Sequence, residues 1–118
     1  MHISPFAYQV FWILLDPFIR IYLQVRISQK KEDKSRITER FGHGYKSARP
    51  NRTLIWLHAV SLGESNAAIN LVTHFKDLRS EWHFLITTNT VPAADNIEKS
   101  CSAKPVTHVF QPLDHPQW

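Results

Sequence analysis

The sequence predicts an α/β fold: an incomplete Rossmann-like parallel sheet of βαβαβ order, preceded by an apolar N-terminal helical segment. Three observations carry this reading. Residues 53–60, 82–88 and 105–110 are short runs rich in strand-forming residues. Two stretches with helical spacing of apolar residues lie between them. The strict strand–helix alternation then implies parallel pairing with right-handed crossovers.

Length and composition set the frame. The chain has 118 residues, 43% of them hydrophobic, and a formal net charge of +4. That fits one small domain with an appendage. Three glycines, seven prolines and 12% aromatic residues exclude collagen-like, linker-like and globally disordered chains. The single cysteine, Cys101, excludes an internal disulfide, and no Cys/His spacing marks a zinc site. No metal site is expected, and Cys101 reads as an inert helix-end thiol. The charge is uneven. Residues 20–52 carry ten basic against three acidic side chains, a net of +7, whereas residues 53–118 hold four basic and six acidic ones, a net of −2. The expected organisation is a membrane-associating helical segment (1–30), a basic short helix and loop (31–52), and the start of a Rossmann-like domain (53–118).

Residues 5–15 are almost wholly apolar, and Asp16-Pro17 follows as a cap and first-position pair. Two short helices with a break at Pro17 are expected, the second reaching about Ser28. On that second helix Phe18, Ile21, Tyr22 and Val25 share a face, with Arg20 and Gln24 opposite. Three readings of the segment stay open: a transmembrane span, a helix lying in the membrane interface, and a helix pair packed on a soluble core. The apolar run falls short of the roughly 18–20 residues that cross hydrocarbon, and Asp16 and Arg20 would sit deep in it. Trp12, Tyr8 and Tyr22 suit the headgroup level, and Lys30, Lys31 and Lys34 suit anionic lipid, which favours the interfacial reading. There is no basic region before the run and no small-residue cleavage site after it, unlike a secretory signal. The basic stretch has no recognition-helix or RNP pattern, so no nucleic-acid partner is expected.

Residues 35–42 read as a short helix stopped by Gly42, and residues 43–52 as a polar loop. The first strand, 53–60, is nearly continuous in apolar residues, as in a sheet covered on both faces. Ser61-Leu62-Gly63-Glu64 is the following turn. Ala67, Ala68, Leu71, Val72, Phe75 and Leu78 then recur at helical spacing. The second strand is 82–88. Asn89-Thr90 caps a helix with Pro92 near its start, running to about Ser100. The third strand is 105–110. Ligands of such sheets lie beyond the carboxyl ends of the strands, which puts residues 61–64, 87–90 and 111–114 on one rim.

Ser61 and Glu64 fit two readings. Ser-x-x-Glu before an apolar-periodic run is a capping box, with Ser61 capping the helix and Glu64 reaching back to the Ser61 amide. The same turn holds a carboxylate at the ligand rim, where it could take a proton from an acceptor hydroxyl, and Gly63 admits a close approach. A helix N-terminus favours an ionised carboxylate, so a base working near neutral pH calls for partial burial. His58, within the strand, reads as a satisfied core histidine. Asp114 reads as a turn residue. Arg40 either contacts an acceptor phosphate or pairs with Glu39 or a carbonyl. Thr87 and Thr88 bind ligand or serve strand packing and capping.

The run Ile55-Trp56-Leu57-His58-Ala59-Val60-Ser61-Leu62-Gly63-Glu64 resembles the amino-terminal signature of the 3-deoxy-D-manno-octulosonic acid (Kdo) transferases of lipopolysaccharide synthesis. Glu39-Arg40-Phe41-Gly42, Leu85-Ile86-Thr87-Thr88-Asn89-Thr90 and Gln111-Pro112-Leu113-Asp114 agree with that family in order and spacing. Asn89 and Val91-Pro92-Ala93-Ala94 depart from its pattern. The resemblance implies a B-type glycosyltransferase fold of two facing Rossmann domains. It implies inverting transfer of Kdo from CMP-Kdo to the lipid A precursor, without a cofactor. Glu64 matches the family's general base, and Ser61, Gly63, Arg40, Thr87 and Thr88 become acceptor-binding candidates. The implied place is the cytoplasmic face of the inner membrane, where the +7 region would meet anionic lipid and the phosphorylated acceptor. Against two full domains, the carboxyl-terminal donor domain is expected to be missing, and the chain alone inactive. The rival expectation is a non-catalytic, membrane-peripheral α/β module or a truncated product.

Overall fold

The computed structural model describes residues 4–43 and 51–113. Helix α1 (Pro5–Ser28) comes first, then a 3-10 helix (Lys34–Phe41). Strand β1 (Thr53–Ala59), helix α2 (Leu62–Leu78), strand β2 (Trp82–Thr88), helix α3 (Val91–Cys101) and strand β3 (Val106–Phe110) follow. The strands pair in parallel in the order β1-β2-β3. Ile55 pairs with Phe84, which pairs with Val106; His58 pairs with Thr87, which pairs with Val109.

This is the expected βαβαβ unit, with strand limits within a residue of those read from sequence. Side chains alternate across the sheet. Ile55, Leu57 and Ala59 of β1 and Phe84 and Ile86 of β2 pack against Ala68 and Val72 of α2 and Ile97 and Cys101 of α3. Both helices thus cover one face, as two right-handed crossovers advancing in one direction require. The opposite face carries Trp56, His58, His83, Leu85, Thr87, Thr107 and Val109. Cys101 lies in the core, where burial pushes its thiol up and away from the reactive thiolate.

Local signals account for the helix ends. Ser4 caps α1 by accepting from the Ala7 amide at 3.1 Å, with Pro5 just inside. Asp33 caps the 3-10 helix by accepting from the Ser35 amide at 2.9 Å, and Gly42 ends it in the left-handed region at φ 80°. Thr90 caps α3 through the Ala93 amide at 3.3 Å.

Two expectations are corrected. There is no break at Pro17: α1 runs unbroken through it. Trp12, Leu15, Ile19 and Leu23 recur at helical spacing on both sides of the proline and are among the less exposed positions of α1. Keeping them on one stripe outweighs the one bond that Pro17 cannot donate. Asp16 forms an ion pair with Arg20 at 2.7 Å rather than capping a second helix. The capping box also differs. Ser61 is the N-cap residue of α2 but its side chain makes no cap bond. Glu64 accepts from the Val60 amide at 2.6 Å, one residue upstream of the expected one.

Candidate functional site

The parallel sheet delivers β1 to the rim at Ala59, and α2 starts three residues later. Ser61, Gly63 and Glu64 therefore stand together on the strand-to-helix turn, all exposed. The bond from Val60 N–H to Glu64 Oε2 tethers one carboxylate oxygen to the end of the strand. Charge-assisted bonds of this kind are short and strong. They fix the carboxylate on a rigid support. A Cβ built on Gly63 would meet nothing within 4 Å, so open space adjoins the turn.

An open groove of about 280 Å³ lies between the β1 edge and α2, lined by Leu57, His58, Glu64, Ala67, Ala68 and Leu71. Its walls are mostly apolar; Glu64 supplies the carboxylate, and His58 takes part at the β1 edge. Such a groove can hold a ligand by its apolar body while a carboxylate takes a proton from one of its hydroxyls.

His58 is not a core residue, contrary to the sequence expectation. It is exposed, on the face of β1 opposite the packed helices. Its Nδ1 lies 2.8 Å from Thr87 Oγ1, and Trp56 Nε1 donates to that same oxygen at 3.0 Å. Thr87 and Thr88 are fully buried. Thr88 Oγ1 lies 2.8 Å from His108 Nε2. Both hydroxyls are therefore engaged inside the sheet, where they hold the rim from beneath.

Arg40 lies apart from Glu64, at the ends of β2 and β3. It is buried, and its five N–H donors are all used. Nε and Nη2 reach the two Glu32 oxygens at 3.1 and 3.0 Å. Nη2 also reaches the Asn89 carbonyl at 2.7 Å, and Nη1 reaches the Gln111 carbonyl at 2.9 Å and Asn89 Oδ1 at 3.3 Å. The carbonyl pairing foreseen for Arg40 is present, but its carboxylate partner is Glu32. Glu39 instead pairs with Arg36 at 2.7 Å and accepts from the Phe110 amide at 2.7 Å. A second cavity, of about 320 Å³, adjoins this cluster and is lined in part by Tyr22, Arg26, Asn89 and Pro112.

Asp114 of the expected rim lies outside the described residues. No group of three His, Cys, Asp or Glu side chains able to hold a metal occurs among the described residues. The hydrogen-bonded set Trp56–Thr87–His58 escaped the sequence reading. Its signal is the alternation that puts residues 56 and 58 on one face, combined with the register that sets His58 beside Thr87.

Residues 35–118 match the family model described as 3-deoxy-D-manno-octulosonic-acid transferase (kdotransferase). A probable mitochondrial 3-deoxy-D-manno-octulosonic acid transferase of Arabidopsis thaliana is 39% identical over 98% of this chain and 26% of its own length. A 3-deoxy-D-manno-octulosonic acid transferase of Rickettsia bellii is 39% identical over 86% of this chain and 24% of its own. The chain thus spans about a quarter of the length of these relatives. No solved structure matches it significantly.

Proposed function

The chain belongs to the 3-deoxy-D-manno-octulosonic-acid transferase family, and from that premise we propose that it is the amino-terminal, acceptor-side part of an inverting Kdo transferase. CMP-Kdo is the donor and the lipid A precursor the acceptor. The observation that carries the reading is the Glu64 carboxylate, tethered by the Val60 amide at the strand-to-helix turn and bordering an open groove.

In this reaction the acceptor lies in the groove with its sugar hydroxyl at Glu64. The oxygen attacks the anomeric carbon of Kdo from the side opposite CMP. A carbon–oxygen bond forms, and the bond to the phosphate of CMP breaks with its electron pair leaving on CMP. Glu64 takes the hydroxyl proton as the bond forms. Ser61 and Gly63 contact the acceptor directly. Arg40, Thr87 and Thr88 act from within the fold by fixing the rim. No cofactor or metal is required. The donor is held by a facing domain in the part of the relatives that this chain does not span. The apolar outer surface of α1 and the basic residues after it rest on the anionic membrane surface that presents the acceptor, the cytoplasmic face of the inner membrane.

The test joins this chain to the part of the Rickettsia bellii relative that it does not span and assays transfer of labelled Kdo to lipid A precursor. The fusion is expected to transfer. Glu64→Gln keeps an acceptor for the Val60 amide but cannot take a proton, and should lower the rate by about 100-fold or more with an unchanged circular dichroism spectrum. Wild-type rates in that variant would sink the general-base assignment. The 118-residue chain by itself is expected to transfer nothing.

A further inference from the structure

The cavity of about 320 Å³ beyond the ends of β2 and β3 has unused donors on its wall. Arg26 and Arg40 share the Glu32 carboxylate, so two guanidiniums face one acid and the cluster keeps a net positive charge. Both Glu32 oxygens are turned to these guanidiniums, and every Arg40 donor is engaged. Arg26 differs. Its side chain is 25% exposed, and only its Nε makes a short bond, to Glu32 at 2.9 Å. Nη2 reaches the Lys31 carbonyl at 3.4 Å, and Nη1 has no hydrogen-bond partner among the described residues. The Tyr22 ring, its centroid 5.7 Å from Cζ, helps to hold the guanidinium in place. Asn89 supplies the second unused donor. A guanidinium only donates, so Asn89 must turn its Oδ1 to Arg40 Nη1, at 3.3 Å. Its NH2 group then faces away from Arg40 and has no partner among the described residues. Arg26 and Asn89 line the same cavity.

We propose that this cavity binds a phosphate monoester, with Arg26 and Asn89 as its donors, and that the phosphate is the acceptor's. A guanidinium edge and an amide, brought together from α1 and from the end of β2, suit a tetrahedral oxyanion with several oxygens better than a flat carboxylate with two. The net positive charge favours an anion, and the volume admits a sugar phosphate. The cavity stands at the same end of the sheet as the Glu64 turn. The source of the phosphate rests on the transferase reading above; the phosphate site does not. Glu64 and this cavity then hold one substrate at two separate points, which gives it an orientation that a single carboxylate on an open groove does not. Asn89 is a position where the chain departs from its family's pattern, so the donor set belongs to this chain.

Titrations of the 118-residue chain, read from the side-chain nitrogen-15 signals of Asn89 and Arg26, test this. Glucose 1-phosphate should bind with a dissociation constant of about 1 mM or tighter, and acetate at least about tenfold more weakly. Asn89→Asp keeps an oxygen for Arg40 but turns a second, charged oxygen to the cavity where the amide donated. It should cut phosphate affinity at least about tenfold with an unchanged circular dichroism spectrum. Arg26→Lys keeps the charge beside Glu32 but not Nη1, and should cost several-fold. Acetate binding as tightly as the phosphate, or an Asn89→Asp chain that binds it like wild type, would overturn the site. Deacylated, water-soluble lipid A precursor should bind, and should lose at least about tenfold in affinity once a phosphatase has removed its phosphates. Glycerophosphoglycerol, a phosphodiester headgroup, should not compete. If it competes as well as the monoester, the ligand is a membrane lipid and the acceptor assignment is wrong. If phosphate does not bind while the fusion transfers Kdo, this inference fails and the transferase reading stands. If phosphate binds and the fusion does not transfer, the transferase reading fails, the acceptor falls with it as the source, and the phosphate site is upheld.

Discussion

Arg40 holds Glu32 with two parallel N–H···O bonds, at 3.1 and 3.0 Å, although the two side chains are only 6% and 3% exposed. Arg26 reaches the same carboxylate at 2.9 Å. The remaining Arg40 donors close on the carbonyls that end β2 and β3, so one guanidinium ties the segment after α1 to the rim of the sheet. Removing one partner of a buried pair leaves an uncompensated charge. Arg40→Met should lower stability by about 3 kcal/mol, and Arg40→Lys by less, because an ammonium keeps the charge but not the five-donor fork. Urea midpoints measure both. An unchanged midpoint for Arg40→Met would show that the cluster holds nothing together.

Acid should loosen the β3 edge first. Burial, and secondarily the charge of Arg36, lower the His108 pKa to about 4 from an ordinary value of 6.5. Its Nδ1 is buried without a protein partner among the described residues, which favours the neutral ring. The unfolded chain takes up this proton near pH 6.5, the folded chain only near pH 4. Between those values the unfolded state binds more protons, so stability falls as pH falls. The loss should total about 3 kcal/mol and level off below pH 4. His108→Gln should remove this component. The stability difference between wild type and variant, followed by urea unfolding from pH 7 to 4, isolates it from His83, which burial also lowers. A pH-independent difference would contradict the assignment.

The sheet was legible because its information is local. Three apolar runs bounded by turns, and Thr90 with Pro92 at the head of a helix, suffice to order β1, α2, β2, α3 and β3. Glu64 was legible because the turn it stands on is fixed by the same local pattern. Pairings between distant residues were not. Arg40 meets Asn89 and Gln111 across 49 and 71 residues of chain, and His58 meets Thr87 across 29. No periodicity encodes such contacts before the register is known. Pro17 misled for a related reason. A proline's local cost is visible in sequence, but the stripe from Trp12 to Leu23 that keeps α1 whole acts across it.

Gly63 gives a prediction in which stability and binding part company. It lies in the first turn of α2 without the left-handed backbone that demands glycine, and a Cβ there would touch nothing in the chain. The fold has no need of glycine at this position. Gly63→Ala should therefore keep or raise the thermal midpoint, by up to about 1 kcal/mol in stability. If the acceptor approaches the turn closely, the added methyl group should weaken binding of the soluble lipid A precursor several-fold. Unchanged binding would place the acceptor away from Gly63.

The outer surface of α1 allows the proposed membrane contact to be tested. Phe6, Leu14, Phe18 and Ile21 are 75%, 68%, 67% and 62% exposed, so a long apolar stripe faces away from the domain. Burying each such side chain is worth roughly 1.5–3 kcal/mol. No helix among the described residues is long and apolar enough to cross a membrane. A helix lying in the interface uses this stripe while Arg20 remains near the headgroups and Lys30, Lys31 and Lys34 lie just beyond it. Each basic residue near an anionic surface adds about 1 kcal/mol, screened beyond a Debye length of about 8 Å at physiological salt. The chain should therefore sediment with anionic vesicles more than with neutral ones, and less as salt rises. Leu14→Ser with Phe18→Ser should release it even at low salt, because charge alone then remains. Retention that resists salt and yields only to detergent would instead mean that α1 inserts across the bilayer, and the interfacial placement would be wrong.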